Sequence, residues 1–140
     1  GFIHDASESR HRELLLRSED AERLLRNYFV DLKSYLESSG FLGCPYTALG
    51  QESGRRCAVI NEEVTKHKQF LLSFFREMSY RILGNQDGGR LLGETLFLIY
   101  AGATTESANL QSTEPAEQAL RIFDQLLPQW KSSYPSLATV

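Results

Sequence analysis

The chain of 140 residues is poor in the features that mark several protein classes. It has two cysteines, too few for a disulfide scaffold, so we expect reduced thiols and a cytoplasmic location. No apolar run approaches the roughly 20 residues that a membrane-spanning helix needs. The formal net charge is −3, whereas a domain that binds nucleic acid through its phosphates is normally basic. The composition therefore predicts no membrane partner and no DNA contact by these residues alone.

Strand signals are also nearly absent, because no segment alternates apolar and polar residues and no Asn-Gly or Asp-Gly turn joins two β-branched runs. Helical periodicity is clear instead. We expect one domain over 1–140, an all-α antiparallel bundle of about five main helices, with 1–17 mobile. The expected helices cover 7–17, 18–39, 58–83, 87–108 and 115–127, with a short helix over 46–52.

Capping residues predict where these helices begin and end. Ser18 is expected to cap the second helix, and Gly40 is expected to end it in a left-handed conformation. Asp87-Gly88-Gly89 is interpreted as a connection between helices. Pro115 suits the first turn of the last helix, and that helix is expected to end before Pro128, with an irregular tail after it.

Three segments together resemble a known family. A Gly43-Cys44-Pro45 turn follows an amphipathic helix, a short helix then carries Glu52, and a long helix carries His67-Lys68. This order resembles the C-terminal domain of TetR-family transcriptional regulators. Residues 98–103, Leu-Ile-Tyr-Ala-Gly-Ala, resemble the family's penultimate-helix motif, and the last helix fits the family's last helix. The similarity covers roughly residues 20–127.

The resemblance implies a function and also exposes a difference. The family places a helix-turn-helix domain first, and nothing in 1–17 resembles one, so we expect a fragment or a relative that does not itself bind an operator. The resemblance implies the effector-sensing and dimerising part of a repressor, in which a small, largely apolar ligand controls DNA binding by the absent domain. A helical dimerisation or scaffold domain without a ligand is the alternative. We expect no enzyme, cofactor or metal, because the chain lacks the pair of Glu-x-x-His motifs and the further carboxylates of a di-iron bundle.

Aromatic side chains with a few polar neighbours are the candidate ligand contacts, although each aromatic taken alone is better explained as core. His67 interrupts an apolar stripe, and a buried core histidine is the favoured interpretation over a ligand contact; Glu63, four residues earlier, can pair with it. The candidate ligand-binding residues are Tyr28, Phe29, Tyr46, His67, Phe70, Phe74, Met78, Phe97, Tyr100 and Thr104.

The last two helices combine small residues, which allow close approach, with larger apolar ones. By resemblance, they pair with their copies in a second chain as a four-helix interface, and packing within one chain is the alternative. The expected homodimer contacts are Leu92, Leu96, Ile99, Gly102, Ala103, Ala116, Ala119, Leu120, Phe123 and Leu127.

Histidines near the N-terminus and one cysteine are further candidates for a metal site and a redox sensor. His4, Asp5 and His11 are expected to be solvated surface residues rather than a zinc site. Cys44 is either a redox-sensing thiol beside a helix N-terminus or a small buried residue, and the second is favoured. No arrangement of nucleophile, base and orienting group is readable.

Overall fold

The structure, a computed structural model, describes residues 2–17, 20–40 and 58–137. Within these ranges the protein is all-helical and has no strand, which confirms the expected class. The predicted turn at Gly43-Cys44-Pro45, the helix over 46–52 and the candidates Cys44 and Tyr46 lie outside the described residues. The helices are α1 (Phe2–Leu16), α2 (Ala21–Ser38), α3 (Ala58–Leu83), α4 (Gln86–Leu110) and α5 (Glu114–Ser133). No helix in the described ranges is long and apolar enough to cross a membrane.

The ends of α2 and α3 follow from local chemistry. Asp20 caps α2, since its side chain accepts a hydrogen bond from the Glu22 backbone N–H at 3.0 Å. The expectation that Ser18 is the cap and Asp20 part of the first turn is therefore corrected. Gly40 and Gly84 follow the ends of α2 and α3 with φ of +72° and +63°, as predicted for left-handed terminal residues.

The first turn of α4 corrects a second expectation. Asn85 is its cap, because the side-chain oxygen accepts a hydrogen bond from the Gly88 N–H at 3.0 Å. Gly88 and Gly89 thus lie inside the helix and not in a connection. A Cβ added to Gly89 would lie 2.6 Å from the Tyr80 Cα. Only a residue without a side chain lets α4 approach the α3 backbone this closely.

The end of α5 corrects a third expectation. The helix begins at the predicted place, with Thr113 as cap and Pro115 in the first turn, but it continues through Pro128 to Ser133. Pro128 is exposed and removes one backbone hydrogen bond. The turn after it packs Trp130 on the core and stacks its ring on Tyr134 at 5.2 Å, which favours continuation.

Ion pairs hold α2 against α5 in an antiparallel arrangement. Residues early in α2 pair with residues late in α5, and Lys33, near the end of α2, pairs with Glu117 in the first turn of α5. The pairs are Glu22–Lys131 at 3.1 Å, Arg26–Asp124 at 3.0 Å and Lys33–Glu117 at 2.9 Å. All six side chains are partly solvent-exposed, so they orient the helices more than they stabilise them.

The apolar core lies between α2, α3, α4 and α5. Its least exposed large side chains come from all four helices: Leu25, Phe29, Leu36, Phe74, Phe75, Met78, Leu92, Leu96 and Phe123. Helix α1 packs along α3 outside this core. The Arg81 guanidinium on α3 donates a hydrogen bond to the Leu15 carbonyl at 2.7 Å, which satisfies one of the free carbonyls at the end of α1.

Candidate functional site

An aromatic cluster occupies the interior at the middle of α2, and it brings together several candidate residues from separate helices. Tyr28 lies at its centre: its ring centroid is 5.5 Å from that of Phe74, 5.5 Å from Tyr100 and 5.7 Å from Phe75. Phe70 joins the cluster through the ring of His11, at 5.8 Å. We call Tyr28, Phe70, Phe74, Phe75, Tyr100 and His11 the aromatic cluster. Helices α1 to α4 each contribute to it.

His11 in this cluster corrects the expectation of a solvated histidine. It is only 4% exposed, and its Nε2 lies 2.9 Å from the Tyr28 hydroxyl oxygen. Its ring meets Phe74 edge-on at 4.6 Å. His11, Leu14 and Leu15 share one face of α1, and this helical spacing is the signal that could have predicted the burial. The side chains of His4 and Asp5 lie outside what the structure describes.

Part of the predicted ligand set is closely packed core. Phe29, Phe74 and Met78 are at most 1% exposed. Phe29 stacks on Phe123 with centroids 5.5 Å apart, which ties the cluster to α5. Phe97 is half-buried against the same core. These side chains are closely packed core, and Phe74 is both part of that core and a member of the aromatic cluster.

Polar side chains are buried next to the aromatic cluster, on α3 and α4. His67, Thr104 and Ser107 are at most 4% exposed, and we call them the polar end. Burial, followed by the nearby charge of Lys68, lowers the pKa of His67 from its usual 6.5 to about 4. The imidazole is therefore neutral at pH 7. Its burial agrees with the favoured interpretation of His67 as a core histidine.

The two hydroxyls of the polar end differ in their hydrogen bonds. Thr104 donates to the Ala101 carbonyl at 3.0 Å. The Ser107 hydroxyl is fully buried and has no hydrogen-bond partner among the residues that the structure describes. Sequence reasoning missed Ser107, although its spacing of three from Thr104 and seven from Tyr100 places all three on one face of α4.

The packing of α3 against α4 brings His67 on α3 and Thr104 on α4 to similar heights along the bundle. A Cβ on Gly89 would meet Tyr80, and one on Gly93 would lie 2.5 Å from the Arg76 Cα, so the helices run antiparallel. Two more turns in the same register set residues 100–104 of α4 opposite residues 65–69 of α3. His67 shares its face of α3 with the buried Leu71 and Phe74. His67 lies nine residues before Arg76, about half a turn around α3 from the face that meets α4, so His67 and Thr104 are at similar heights on different sides of α3.

The predicted dimer residues divide into two groups. Seven are at most 6% exposed inside one protomer, and they are Leu92, Leu96, Ala103, Ala116, Ala119, Phe123 and Leu127. Their burial agrees with the alternative of packing within one chain, and a role for them in an interface stays a prediction. Ile99 and Leu120 are half-buried, and Gly102 is exposed.

A groove of about 280 Å³ runs along the outer side of α4 and α5, next to that buried set. Its apolar walls include Leu98, Leu110 and Ile122, which are 67%, 64% and 43% exposed. Gly102 lies on its floor, and a Cβ there would meet nothing within 4 Å. We call this surface the α4–α5 groove. It offers apolar area and a place for close helix approach.

Comparisons of the chain with protein-family models, curated proteins and solved structures give no match. Among the described residues, no three His, Cys, Asp or Glu side chains are grouped so that they could hold a metal ion. What the site can bind must therefore be derived from its own side chains. These are a set of aromatic rings, a neutral imidazole and two buried hydroxyls.

Proposed function

We propose that this chain is the effector-binding and dimerisation domain of a TetR-like transcriptional repressor. The effector is a small, largely apolar molecule, bound where the aromatic cluster meets the polar end. The observation that carries this proposal is the burial of His67, Thr104 and Ser107 beside a cluster of aromatic rings. Ligand sites in helical bundles typically combine apolar walls with a few convergent polar groups.

The link from the site to DNA binding would run through α1. The His11 ring contacts Tyr28 at the centre of the cluster, and Arg81 holds the end of α1 on α3. An effector that displaces Tyr28 would favour a different position of α1, and with it of a DNA-binding domain attached before α1. The ligand shifts this equilibrium only by the difference between its affinities for the two arrangements.

Dimerisation would use the α4–α5 groove. Four helices, two from each copy, can cover the exposed Leu98, Leu110 and Ile122, with Gly102 at the closest approach. Contiguous exposed apolar surface of this kind is typical of interfaces between proteins. The alternative function, a scaffold domain without an effector, is favoured by one observation: Phe29, Phe74 and Met78 are packed closely, as in a dry core.

Ligand binding separates the two functions. We expect dyes, phenolics or fatty acids to raise the melting temperature of the purified chain, followed by calorimetric titration of each compound that does so. Thr104→Leu fills the polar end and should abolish the shift. Thr105→Leu, at the next and half-buried position, is the matched control and should keep it. If no compound shifts the melting temperature, the scaffold function is favoured.

The oligomeric state tests the groove. We expect sedimentation equilibrium to give a dimer, and Leu98→Glu or Ile122→Glu to give a monomer, because each buries a charge in the interface. Val30→Glu places the same charge on an exposed apolar position of α2 and should leave the dimer intact. A dimer that survives both groove variants would place the interface elsewhere.

A further inference from the structure

We propose that Ser107 is a ligand-binding residue whose hydroxyl donates a hydrogen bond to an uncharged, largely aromatic effector bearing a carbonyl or similar acceptor oxygen. This inference rests on the proposed effector site and specifies its chemistry. It begins from a fully buried hydroxyl that has no partner among the described residues. Buried polar groups are nearly always hydrogen-bonded, since leaving one unpaired costs its full desolvation.

The position of Ser107 connects it to the candidate site. It lies on the same face of α4 as Tyr100 and Thr104, two turns beyond Tyr100. Tyr100 faces the interior, because its ring contacts Tyr28 and Phe75. Thr104 has already donated its proton to the Ala101 carbonyl. Of Thr104 and Ser107, Ser107 is therefore the one whose proton is still available to a ligand.

The buried polar groups favour a neutral acceptor at Ser107. Among the described residues, the buried polar side chains are serine, threonine, asparagine and histidine, with no buried Lys, Arg, Asp or Glu. His67 at the polar end is neutral at pH 7, because its pKa is lowered to about 4. The cations at the edge of the site are Lys68, beside His67, and Arg10 and Arg12, whose guanidiniums lie over the Tyr28 and Phe70 rings; none of them is buried. An ionised group placed beside Ser107 itself would lose its hydration without a buried counter-charge. A neutral acceptor oxygen loses little hydration energy and can accept the hydrogen bond that the Ser107 hydroxyl donates.

A second buried hydroxyl in the same chain supplies the control. Ser79 is also fully buried and unpartnered. It lies on α3 twelve residues after His67, about 18 Å along the helix axis. A general effect of removing a buried hydroxyl must appear in both serines. An effect on ligand recognition must appear in Ser107 alone.

The experiment compares three naphthalenes by calorimetric titration of the whole chain. 2-Acetylnaphthalene carries a carbonyl, 2-ethylnaphthalene has nearly the same shape without it, and 2-naphthoate carries a negative charge. We expect the wild type to bind the ketone about 5- to 10-fold more tightly than the hydrocarbon, the size of one hydrogen bond. We expect the carboxylate to bind at least about 10-fold more weakly than the ketone.

Substitution then assigns the preference to one residue. Ser107→Ala should reduce the ketone-to-hydrocarbon ratio to about 1 and leave the hydrocarbon affinity unchanged. Ser79→Ala should keep the full ratio, and both variants should melt at or above the wild-type temperature. Ser107→Cys, nearly isosteric and a weak donor, repeats the test should the alanine variant misfold, and should lower the ratio partially.

Two results overturn the inference in distinguishable ways. Equal wild-type affinities for ketone and hydrocarbon, or an unchanged ratio in Ser107→Ala, remove the role of Ser107 but leave the effector site standing. No binding of either compound removes both the inference and the support for an effector site of this chemistry.

Discussion

Thr104 and Ser107 lie one turn apart on the same helix face, yet their hydroxyls differ in hydrogen bonding and therefore in the cost of burying them. Thr104 donates within its own helix, so its burial costs little. Ser107 leaves a donor unpaired in the interior. A fold under selection for stability alone would gain by replacing this serine with alanine. Ser79 on α3 carries the same cost, so the ligand-binding comparison of the two serines decides whether Ser107 has a role in recognition.

The burial of His67 predicts an acid-sensitive loss of stability. Its folded-state pKa of about 4 lies below the unfolded value of 6.5, so the unfolded chain binds more protons between these values. The free energy of unfolding should fall as the pH drops from about 6.5 to about 4, by roughly 2–3 kcal/mol.

Urea unfolding at pH 7 and pH 4.5 measures this change. The His67→Gln variant should lose this part of the pH dependence, while the contributions of other groups remain in both proteins. Identical pH profiles for wild type and variant would contradict the assignment.

The sequence predicted the burial of His67 but not that of His11. His67 could be predicted as buried, because apolar residues flank it at helical spacing on a long helix. His11 was expected to be solvated, since its own helix is short and highly charged. Its spacing with Leu14 and Leu15 indicates a buried face that the surrounding charges obscured, and the packing of α1 on α3 supplies the contact.

The short distance between α3 and α4 depends on a glycine at their contact. Gly93 faces the Arg76 backbone so closely that a Cβ would lie 2.5 Å from its Cα. Backbone cannot yield as a flexible side chain can, so Gly93→Ala must separate the helices. We expect a loss of about 1–3 kcal/mol in the free energy of unfolding.

Gly102→Ala is the matched control, because a Cβ there meets nothing within 4 Å. Removing a helical glycine should stabilise α4 by up to about 1 kcal/mol in the monomer. Denaturant unfolding at low protein concentration measures both variants. A similar loss at both glycines would show that helix propensity, not helix contact, is being measured.

Asn85 joins the start of α4 to the C-terminal segment. Its side-chain oxygen caps the helix through Gly88, and its side-chain nitrogen donates to the Pro135 carbonyl at 3.2 Å. Asn85→Ala removes both bonds and should cost about 1–2 kcal/mol.

Asn85→Asp keeps the capping oxygen and loses the donor, so it should cost less than the alanine variant. Thermal unfolding of the two variants separates cap from tail contact. Equal losses would mean that the cap contributes nothing.

Helix bounds illustrate what periodicity and capping can predict. The limits of α3 were predicted closely, since Gly84 ends a long apolar stripe. The end of α5 was wrong because a proline was taken as a stop. An exposed proline removes one hydrogen bond, and the packing of Trp130 and Tyr134 outweighs that loss. Local rules fail where tertiary packing supplies the larger energy.

For the whole molecule, the main finding concerns which side of α4 and α5 is available. Apolar and small residues on these helices were assigned together to an interface, because sequence cannot separate the two apolar faces of a helix. The structure assigns one face to the protomer's own core. The other face, with Leu98, Leu110 and Ile122, is exposed and is the one that we propose for dimerisation.

The ion pairs between α2 and α5 have a consequence for the folding pathway. Arg26 and Asp124 are 98 positions apart, and Glu22 and Lys131 are 109 apart. Helices α3, α4 and α5 are consecutive and joined by short turns, so closing them requires shorter loops and less entropy. We expect these three helices to form the folding nucleus and α2 to dock late.

Stopped-flow folding of two core variants tests this order. Leu25→Ala, on α2, should mainly raise the unfolding rate, whereas Leu96→Ala, on α4, should mainly slow folding. Each truncation should cost about 2–5 kcal/mol, enough for a reliable comparison of rates. The reverse assignment of rates would place α2 in the nucleus.

Because we expect α2 to dock late, we also expect the interior contacts between α2 and α4 to form in the last step of folding. Tyr28 belongs to the late unit, and Tyr100 and Ser107 belong to the early one. A ligand bound between Tyr28 and the α4 residues could make all its contacts only after the rate-limiting step of folding. Such a molecule would lengthen the lifetime of the folded protein and leave the rate at which the chain folds unchanged.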